Sequence, residues 1–136
     1  MREAINPPTL PTPPGYSQVI RVSGGTTIYI AGQVAWDSEN NLVGRNDFET
    51  QTRQVLTNLV AALDAVDAGV EHLVKICVYV VDHDANKLDV IRRVRDEFFG
   101  DITPPTSTLL GVSTLALPDL MIEIDAVAYV DGGPTR

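Results

Sequence analysis

The chain has 136 residues, of which 44% are hydrophobic and 21% are charged, and its formal net charge at pH 7 is −8. This composition predicts one globular domain without the roughly 20-residue apolar run that a membrane-spanning helix needs. The N-terminal segment lacks the apolar stretch of a secretory signal, so a cytoplasmic location is expected. The acidic balance argues against general nucleic-acid binding, which depends mainly on Lys and Arg.

The N-terminal third is predicted to be extended. Five prolines within residues 1–15 predict an extended arm rather than a helix. Two short β-rich runs, 17–22 and 26–33, are separated by Ser-Gly-Gly, which predicts a β-hairpin with a glycine turn. The polar, turn-rich stretch 35–47 predicts a loop.

The middle of the chain shows helical periodicity. Positions spaced by three and four residues define one face of a long helix, which Asn46 or Asp47 can cap and Gly69 can end; these positions are Thr52, Val55, Leu56, Leu59, Leu63 and Val66. The nearly all-apolar run 73–81 predicts a strand buried on both faces. A second helix is predicted from about residue 85 to 99.

Two final strands are predicted near 108–113 and 120–130, followed by a frayed tail at 131–136. The predicted order is β-β-α-β-α-β-β, which fits an α+β fold with one sheet and both helices on the same face. A chain this small has nothing left to cover the other face of the sheet. We therefore expect another subunit to cover it.

The last strand carries acids on one of its two faces. Because side chains alternate in a strand, one face is wholly apolar and the other is mixed. The apolar face holds Leu120, Ile122, Ile124, Ala126 and Ala128, and the mixed face holds Met121, Glu123, Asp125, Val127 and Tyr129. The mixed face fits either the wall of an interface or cleft, or a solvent-exposed surface with scattered apolar residues.

The second predicted helix has arginines beside its apolar arc of Leu88, Ile91, Phe98 and Phe99. At 100° per residue, Arg95 projects into the middle of this arc, Arg92 lies at its edge and Arg93 points away. Arg95 must therefore either extend to the rim of the buried region or pair with an anion. That anion would be a carboxylate ligand or an acid from a neighbouring chain.

Several segments in a fixed order resemble the RidA/YjgF/YER057c/UK114 family over nearly the whole chain. They are "GYSQVIRV", "IYIAGQ", "FETQTRQVLTNL", "VKICVYVVD", "EFFG" and "PPTSTLLGVSTLALPDLMIEIDAVAYV". The resemblance implies a chorismate-mutase-like fold assembled as a homotrimer around a barrel of sheets. It also implies a ligand cleft at each subunit interface and hydrolysis of reactive enamines and imines, such as 2-aminoacrylate, to a 2-keto acid and ammonia. No metal or organic cofactor is implied.

The resemblance also assigns roles to individual residues. Glu123 matches the glutamate that positions the attacking water, and Tyr16 matches a tyrosine of the cleft. The segment Ala31, Gly32 and Gln33 matches the strand-end loop beside the ligand, where backbone N–H groups can bind an anion.

The family's carboxylate-binding arginine is replaced. Its P-A-R-[ST] motif reads P-T-S-T here, and Ser107 occupies the arginine position. Losing a bidentate charged anchor should cost about 2–4 kcal/mol of substrate binding. We hypothesise that Arg92 or Arg95 supplies the positive charge instead, or that one of them pairs with Glu123 or Asp125 across the interface.

Three functions remain for the sequence. The first is a cofactor-independent hydrolase or deaminase of small enamine- or imine-type metabolites. The second is a non-catalytic homotrimer that binds a small anionic metabolite in the same cleft. The third is the endoribonuclease activity credited to some family members, which the acidic charge and the absence of a histidine pair disfavour.

Overall fold

The computed structural model describes residues 1–132, and the predicted frayed tail lies outside the described residues from position 133 onward. The strands are β1 (Arg2–Ile5), β2 (Val19–Val22), β3 (Thr26–Gln33), β4 (Leu73–Val81), β5 (Thr106–Val112) and β6 (Ile122–Val130). The helices are α1 (Phe48–Asp64) and α2 (Ala85–Phe99), with a short 3₁₀ helix at Val70–His72.

Four strands form a mixed sheet in the order β3-β6-β4-β5. Strand β6 pairs antiparallel with β3 and β4, whereas β5 runs parallel to β4. Both helices pack on the same face of this sheet, where apolar side chains of α1 and α2 join those of β4 and β6 in one core. The α+β prediction is confirmed. Within residues 1–132 the sheet is open, so the trimeric barrel stays a prediction.

The predicted hairpin between the first two β-rich runs is wrong. Strand β2 instead pairs antiparallel with β1, and β3 pairs with β6. Gly24 and Gly25 have φ angles of +70° and +65°. They lie in the turn that leads from β2, which is paired with β1, to β3 of the four-stranded sheet. A Cβ at Gly25 would lie 2.7 Å from the Tyr129 ring, so glycine is needed where the turn passes β6.

The helix boundaries follow local capping. Asp47 accepts a hydrogen bond from the Thr50 amide and starts α1 as predicted. The helix ends at Asp64, before the predicted stop at Gly69, which instead precedes the 3₁₀ helix. Asp84 caps α2, and Gly100 with φ +60° ends it. Within the described residues, no helix combines the length and apolarity needed to cross a membrane.

Candidate functional site

A pocket of about 160 Å³ lies between α2 and the β4–β5 edge of the sheet. We call it the helix-side pocket. Its inner wall is apolar and is formed mainly by buried side chains: Leu56, Ile76, Val78, Ile91, Phe99 and Ile124. Four of the sequence-predicted site residues also line it: Tyr16, Arg92, Arg95 and Ser107.

The β4–β5 register explains why Ser107 lines this pocket. Ser107 is paired in parallel register with Ile76, whose side chain is buried in the helix-facing core. Paired residues share a face of the sheet, so Ser107 points toward the helices. Tyr16 is brought to the same place by its neighbour Ser17, whose amide and hydroxyl bond to the carbonyls of Pro105 and Pro104.

Helix α2 brings two arginines to the pocket without close acidic partners. The Arg95 side chain is only 18% exposed, and its nearest carboxylate is that of the adjacent Asp96, 3.4 Å away. Arg92 is exposed and has no ion pair within residues 1–132. Arg93, by contrast, points to α1 and bonds to Glu49 at 2.8 Å. The predicted orientations of the arginines on this helix are confirmed for Arg93 and Arg95.

The N-terminal arm closes over Arg95. A Cβ at Gly15 would lie 2.9 Å from Arg95 Nη2, so the arm backbone packs directly on the guanidinium group. Gly15 has φ +100°, which non-glycine residues rarely adopt. Sequence reasoning missed this contact, because it joins residues that are far apart in the chain.

Glu123 lies on the opposite side of the sheet. It is paired with Tyr79 between Ile122 and Ile124, which are both buried against the helices. We call the sheet face that carries Glu123 and points away from the helices the open face. The alternation predicted for the last strand is therefore confirmed.

A bulge in β3 makes room for the Glu123 carboxyl. The pairing of β3 with β6 shifts between Ile30 and Gln33, which places Ala31 and Gly32 in the irregular segment. A Cβ at Gly32 would overlap the Glu123 carboxyl. Only glycine therefore lets this side chain lie against the strand, so Gly32 of the predicted segment adjoins Glu123. The ligand contacts predicted for Ala31 and Gln33 stay predictions.

The carboxyl of Glu123 has an unusual environment. Burial raises its pKa above the ordinary value, and the neighbouring negative charge of Asp125 raises it further. Asp125 accepts a hydrogen bond of 2.9 Å from Tyr79, and this bond raises the pKa of the tyrosine to about 12. Glu123 has no hydrogen-bond or ion-pair partner among the described residues. It is free to act on a ligand or water.

The structure thus divides the predicted site residues into two groups. Tyr16, Arg92, Arg95 and Ser107 line the helix-side pocket, while Glu123 lies at the open face with the Gly32 backbone against its carboxyl. Ala31 is exposed in the irregular segment, and Gln33 pairs with Ile124, so the Gln33 side chain lies on the helix-facing side of the sheet. Within one chain the sheet separates the groups, and neither Arg92 nor Arg95 pairs with Glu123 or Asp125 in the part of the chain that is described. In residues 1–132 no three His, Cys, Asp or Glu side chains are grouped closely enough to hold a metal ion.

From the sequence, the apolar residues of the pocket wall are interpreted only as core residues and not as part of a site. Leu109 follows Ser107 on the same face of β5 and lines the pocket with it. The two-residue spacing within a strand was the signal that could have identified Leu109.

Comparison with known proteins identifies the family. The family described as endoribonuclease L-PSP matches residues 9–130. The chain is 36% identical over 131 residues to a RutC family protein of Pyrococcus horikoshii, covering 95% of this chain and 98% of that protein. It is 28% identical over 131 residues to a 2-iminobutanoate/2-iminopropanoate deaminase of Dermatophagoides farinae, with coverage of 96% and 98%.

A solved structure supports the same assignment. The conserved Rid family protein YyfB of Yersinia pestis, whose function is unknown, superposes with a TM-score of 0.88 at 38% identity. The superposition covers 95% of this chain and 98% of that one. The matched family, the sequence relatives and the shared architecture agree, and the chain belongs to the Rid/YjgF family.

Proposed function

We propose that this protein is a homotrimeric hydrolase that converts small enamine- or imine-type metabolites to carbonyl compounds and ammonia without a cofactor. The observation that carries the proposal is the free, partly buried carboxyl of Glu123, whose pKa is raised and which lies against a glycine bulge. A related deaminase from Dermatophagoides farinae supports the reaction type.

The open face supports assembly with further copies of the chain. Tyr29 on β3 is 81% exposed and Leu110 on β5 is 50% exposed. Their register partners Val127 and Tyr79 belong to the same face. Large apolar side chains on a sheet face that also carries a partly buried acid are typical of a surface that a partner covers.

The two groups of site residues suggest how copies would combine. A sheet separates the helix-side pocket from Glu123 within one chain, so one chain cannot present both to a single small molecule. In a ring of identical subunits, contacts between unlike surfaces bring the pocket of one copy to the open face of the next. We propose that each cleft takes its anion-binding residues from one chain and Glu123 from its neighbour.

The chemistry requires a base beside the imine carbon. An enamine first becomes the imine by proton transfer to carbon. Protonation of the imine nitrogen from solvent gives the iminium ion. The carboxylate of Glu123 then takes a proton from water while the water oxygen bonds to the iminium carbon. Return of the proton to nitrogen lets the C–N bond break, ammonia leaves, and loss of the hydroxyl proton forms the C=O bond.

A second candidate is a trimer that binds a small anionic metabolite without turning it over. The observation that favours it is Ser107, a neutral residue at the position where deaminating relatives are expected to carry arginine. Ribonucleolytic activity has less support, because the net charge is −8 and RNA binding relies on positive side chains.

The test is hydrolysis of imines generated in place. An amino-acid oxidase supplies 2-imino acids of different side chains, and the rate of keto-acid formation is followed with and without the protein. We expect faster release with the wild type, at least a hundredfold less acceleration with Glu123→Gln, and an unchanged rate with Glu39→Gln in an exposed loop. Equal acceleration by wild type and Glu123→Gln would refute the role of Glu123. If no imine is hydrolysed faster, the binding function is favoured.

A further inference from the structure

The helix-side pocket combines an apolar wall with a cation at its edge. Its wall contains Ile76, Val78 and Leu109 of the sheet and Ile91 and Phe99 of α2. A site with this composition is suited to a molecule that is apolar over most of its surface and negatively charged at one end.

Arg95 supplies the charge for such a molecule. Four other arginines, Arg21, Arg45, Arg53 and Arg93, have a carboxylate oxygen within 2.8 Å. Arg95 is less exposed than any of these, yet its nearest acid is the exposed Asp96 at 3.4 Å, beyond the normal range of an N–H···O bond. A cation that is largely withdrawn from water and poorly paired is ready for an external anion.

Arg92 is a weaker candidate for the same role. It reaches the pocket from the preceding turn of α2 but is exposed to solvent, so water competes with any anion that it binds. Arg95 is also held in place by the arm, because the backbone at Gly15 packs on its guanidinium group.

The pocket volume limits the apolar part of the ligand. An apolar cavity of about 150 Å³ lined by Leu, Ile and Phe holds one benzene molecule, and the helix-side pocket measures about 160 Å³. A methyl group would leave most of this space unfilled, whereas two fused rings would exceed it. A branched aliphatic chain or a single ring fits.

We infer that the helix-side pocket selects small carboxylates with a branched aliphatic or single-ring side chain, with Arg95 holding the carboxylate in place of the arginine that Ser107 replaces. This inference rests on the proposed function and specifies its substrate class: 2-imino acids of that kind, rather than 2-aminoacrylate. The apolar side chain lies on the wall formed by Ile76, Val78 and Leu109.

The experiment measures binding of stable probes, which needs no turnover. The isotope-labelled protein is titrated with 3-methylbutanoate, acetate, 1-naphthoate and the neutral 3-methylbutanamide, and amide chemical shifts are followed by NMR. We expect 3-methylbutanoate to bind at least about tenfold more tightly than acetate, because three more carbons are buried. It should also bind more tightly than the amide and than 1-naphthoate.

Variants distinguish the contribution of the Arg95 charge to binding from that of the pocket shape. Arg95→Gln should weaken 3-methylbutanoate binding at least about tenfold while leaving the amide unaffected. Arg93→Gln makes the same charge change two residues away on the same helix and should alter neither affinity. Leu109→Phe reduces the pocket and should weaken 3-methylbutanoate but not acetate; because Leu109 is only partly buried, this variant is expected to fold.

Three results would overturn the inference: equal affinity for acetate and 3-methylbutanoate, equal effects of Arg95→Gln and Arg93→Gln, or no binding of any carboxylate because a neighbouring subunit fills the pocket. The hydrolysis assay is independent of this outcome. If the probes bind as expected while no imine is hydrolysed, the proposed catalysis fails and the pocket specificity holds. If imines are hydrolysed through Glu123 and the probes do not bind as expected, the proposed catalysis holds and the pocket specificity fails.

Discussion

Glu123 and Gly32 depend on each other across the β3–β6 pair. The carboxyl occupies the space where any side chain at residue 32 would begin, and the resulting burial is the main reason why the pKa of Glu123 is raised. A carboxyl with a raised pKa is a stronger base once ionised, which suits a group that takes a proton from water. The bulge and the acid therefore act as a unit.

Asp125 is the next residue of β6 on the open face, and it influences the pKa of Glu123. Replacing it by asparagine removes the negative charge that contributes to the raised pKa of Glu123. Asp125→Asn should therefore lower that pKa, and hydrolysis that needs ionised Glu123 should extend to lower pH. The side-chain carboxyl resonance of Glu123, followed by carbon-13 NMR across a pH titration, measures the change.

Asp101→Asn is the control for this titration. Asp101 is exposed beyond the end of α2 and does not contribute to the shift at Glu123. An unchanged or higher Glu123 pKa in Asp125→Asn would contradict the prediction.

At the scale of elements, charged side chains connect the outer surfaces of the two helices. Glu49 on α1 accepts hydrogen bonds from Arg53 on the same helix and from Arg93 on α2, and Arg53 also bonds to Glu97. These bonds lower the pKa of Glu49 from 4.5 to about 2. Arg93 is thereby occupied on the side of α2 away from the helix-side pocket.

The low pKa of Glu49 predicts how its contribution to stability varies with pH. A carboxyl whose pKa is lower in the folded state stabilises that state fully above its unfolded pKa and loses this effect as pH falls toward its folded pKa. Glu49→Gln should thus lower the thermal unfolding midpoint most above pH 4.5, and the difference from wild type should disappear near pH 2.

Thermal unfolding followed by circular dichroism between pH 2 and 7 would test this, with Glu39→Gln as the exposed, unpaired control. Because the ion pairs lie at the surface, concentrated salt should also reduce the difference. A difference that is constant across the pH range would mean that packing, and not charge, explains the effect.

The elements differ in how far their sequence predicts them. The 3.6-residue period and the capping Asp47 define the start of α1 because both signals are local, and the alternation along β6 correctly separates its two faces. The partner of β2 was not predictable, because strand pairing depends on segments distant in the chain. The short β1 was also obscured by the prolines that follow it.

At the scale of the whole molecule, family resemblance identified candidate residues but could not place them relative to the sheet. Ser107 and Glu123 are 16 positions apart on two strands, and only the register of β5, β4 and β6 determines that they face opposite ways. A residue-by-residue match carries no information on which chain of an assembly supplies each group. That division has to be tested on the assembled protein.

Complementation between two impaired variants provides the test. If each cleft uses Glu123 of one chain and Arg95 of its neighbour, Glu123→Gln and Arg95→Gln subunits refolded together in equal amounts should restore hydrolysis to about a quarter of the wild-type level. At subsaturating concentrations of 2-imino acids of the proposed class, Glu123→Gln alone should keep at most about a hundredth of the wild-type rate and Arg95→Gln alone at most about a tenth. No recovery after mixing would mean that one chain supplies the whole site.

The subunit number is measured on the same samples. Three chains of 14.7 kDa give about 44 kDa, which analytical ultracentrifugation distinguishes from one or two chains. A particle of 14.7 kDa would contradict the proposed assembly whatever the hydrolysis assay gives.

The sheet lies between the residues of the helix-side pocket and Glu123. This separation affects how such proteins diverge in evolution. If the helix-side pocket holds the ligand as proposed, substitutions along α2, the arm and β5 alter the molecules that are recognised and leave the bulge and Glu123 on the other side unchanged. In the proposed function, Ser107 is one such substitution, and Glu123 keeps its role beside it. The residues that recognise the ligand and those that carry out the reaction can thus change independently during evolution. Duplicated genes can then encode proteins that bind different metabolites and still catalyse the same type of reaction.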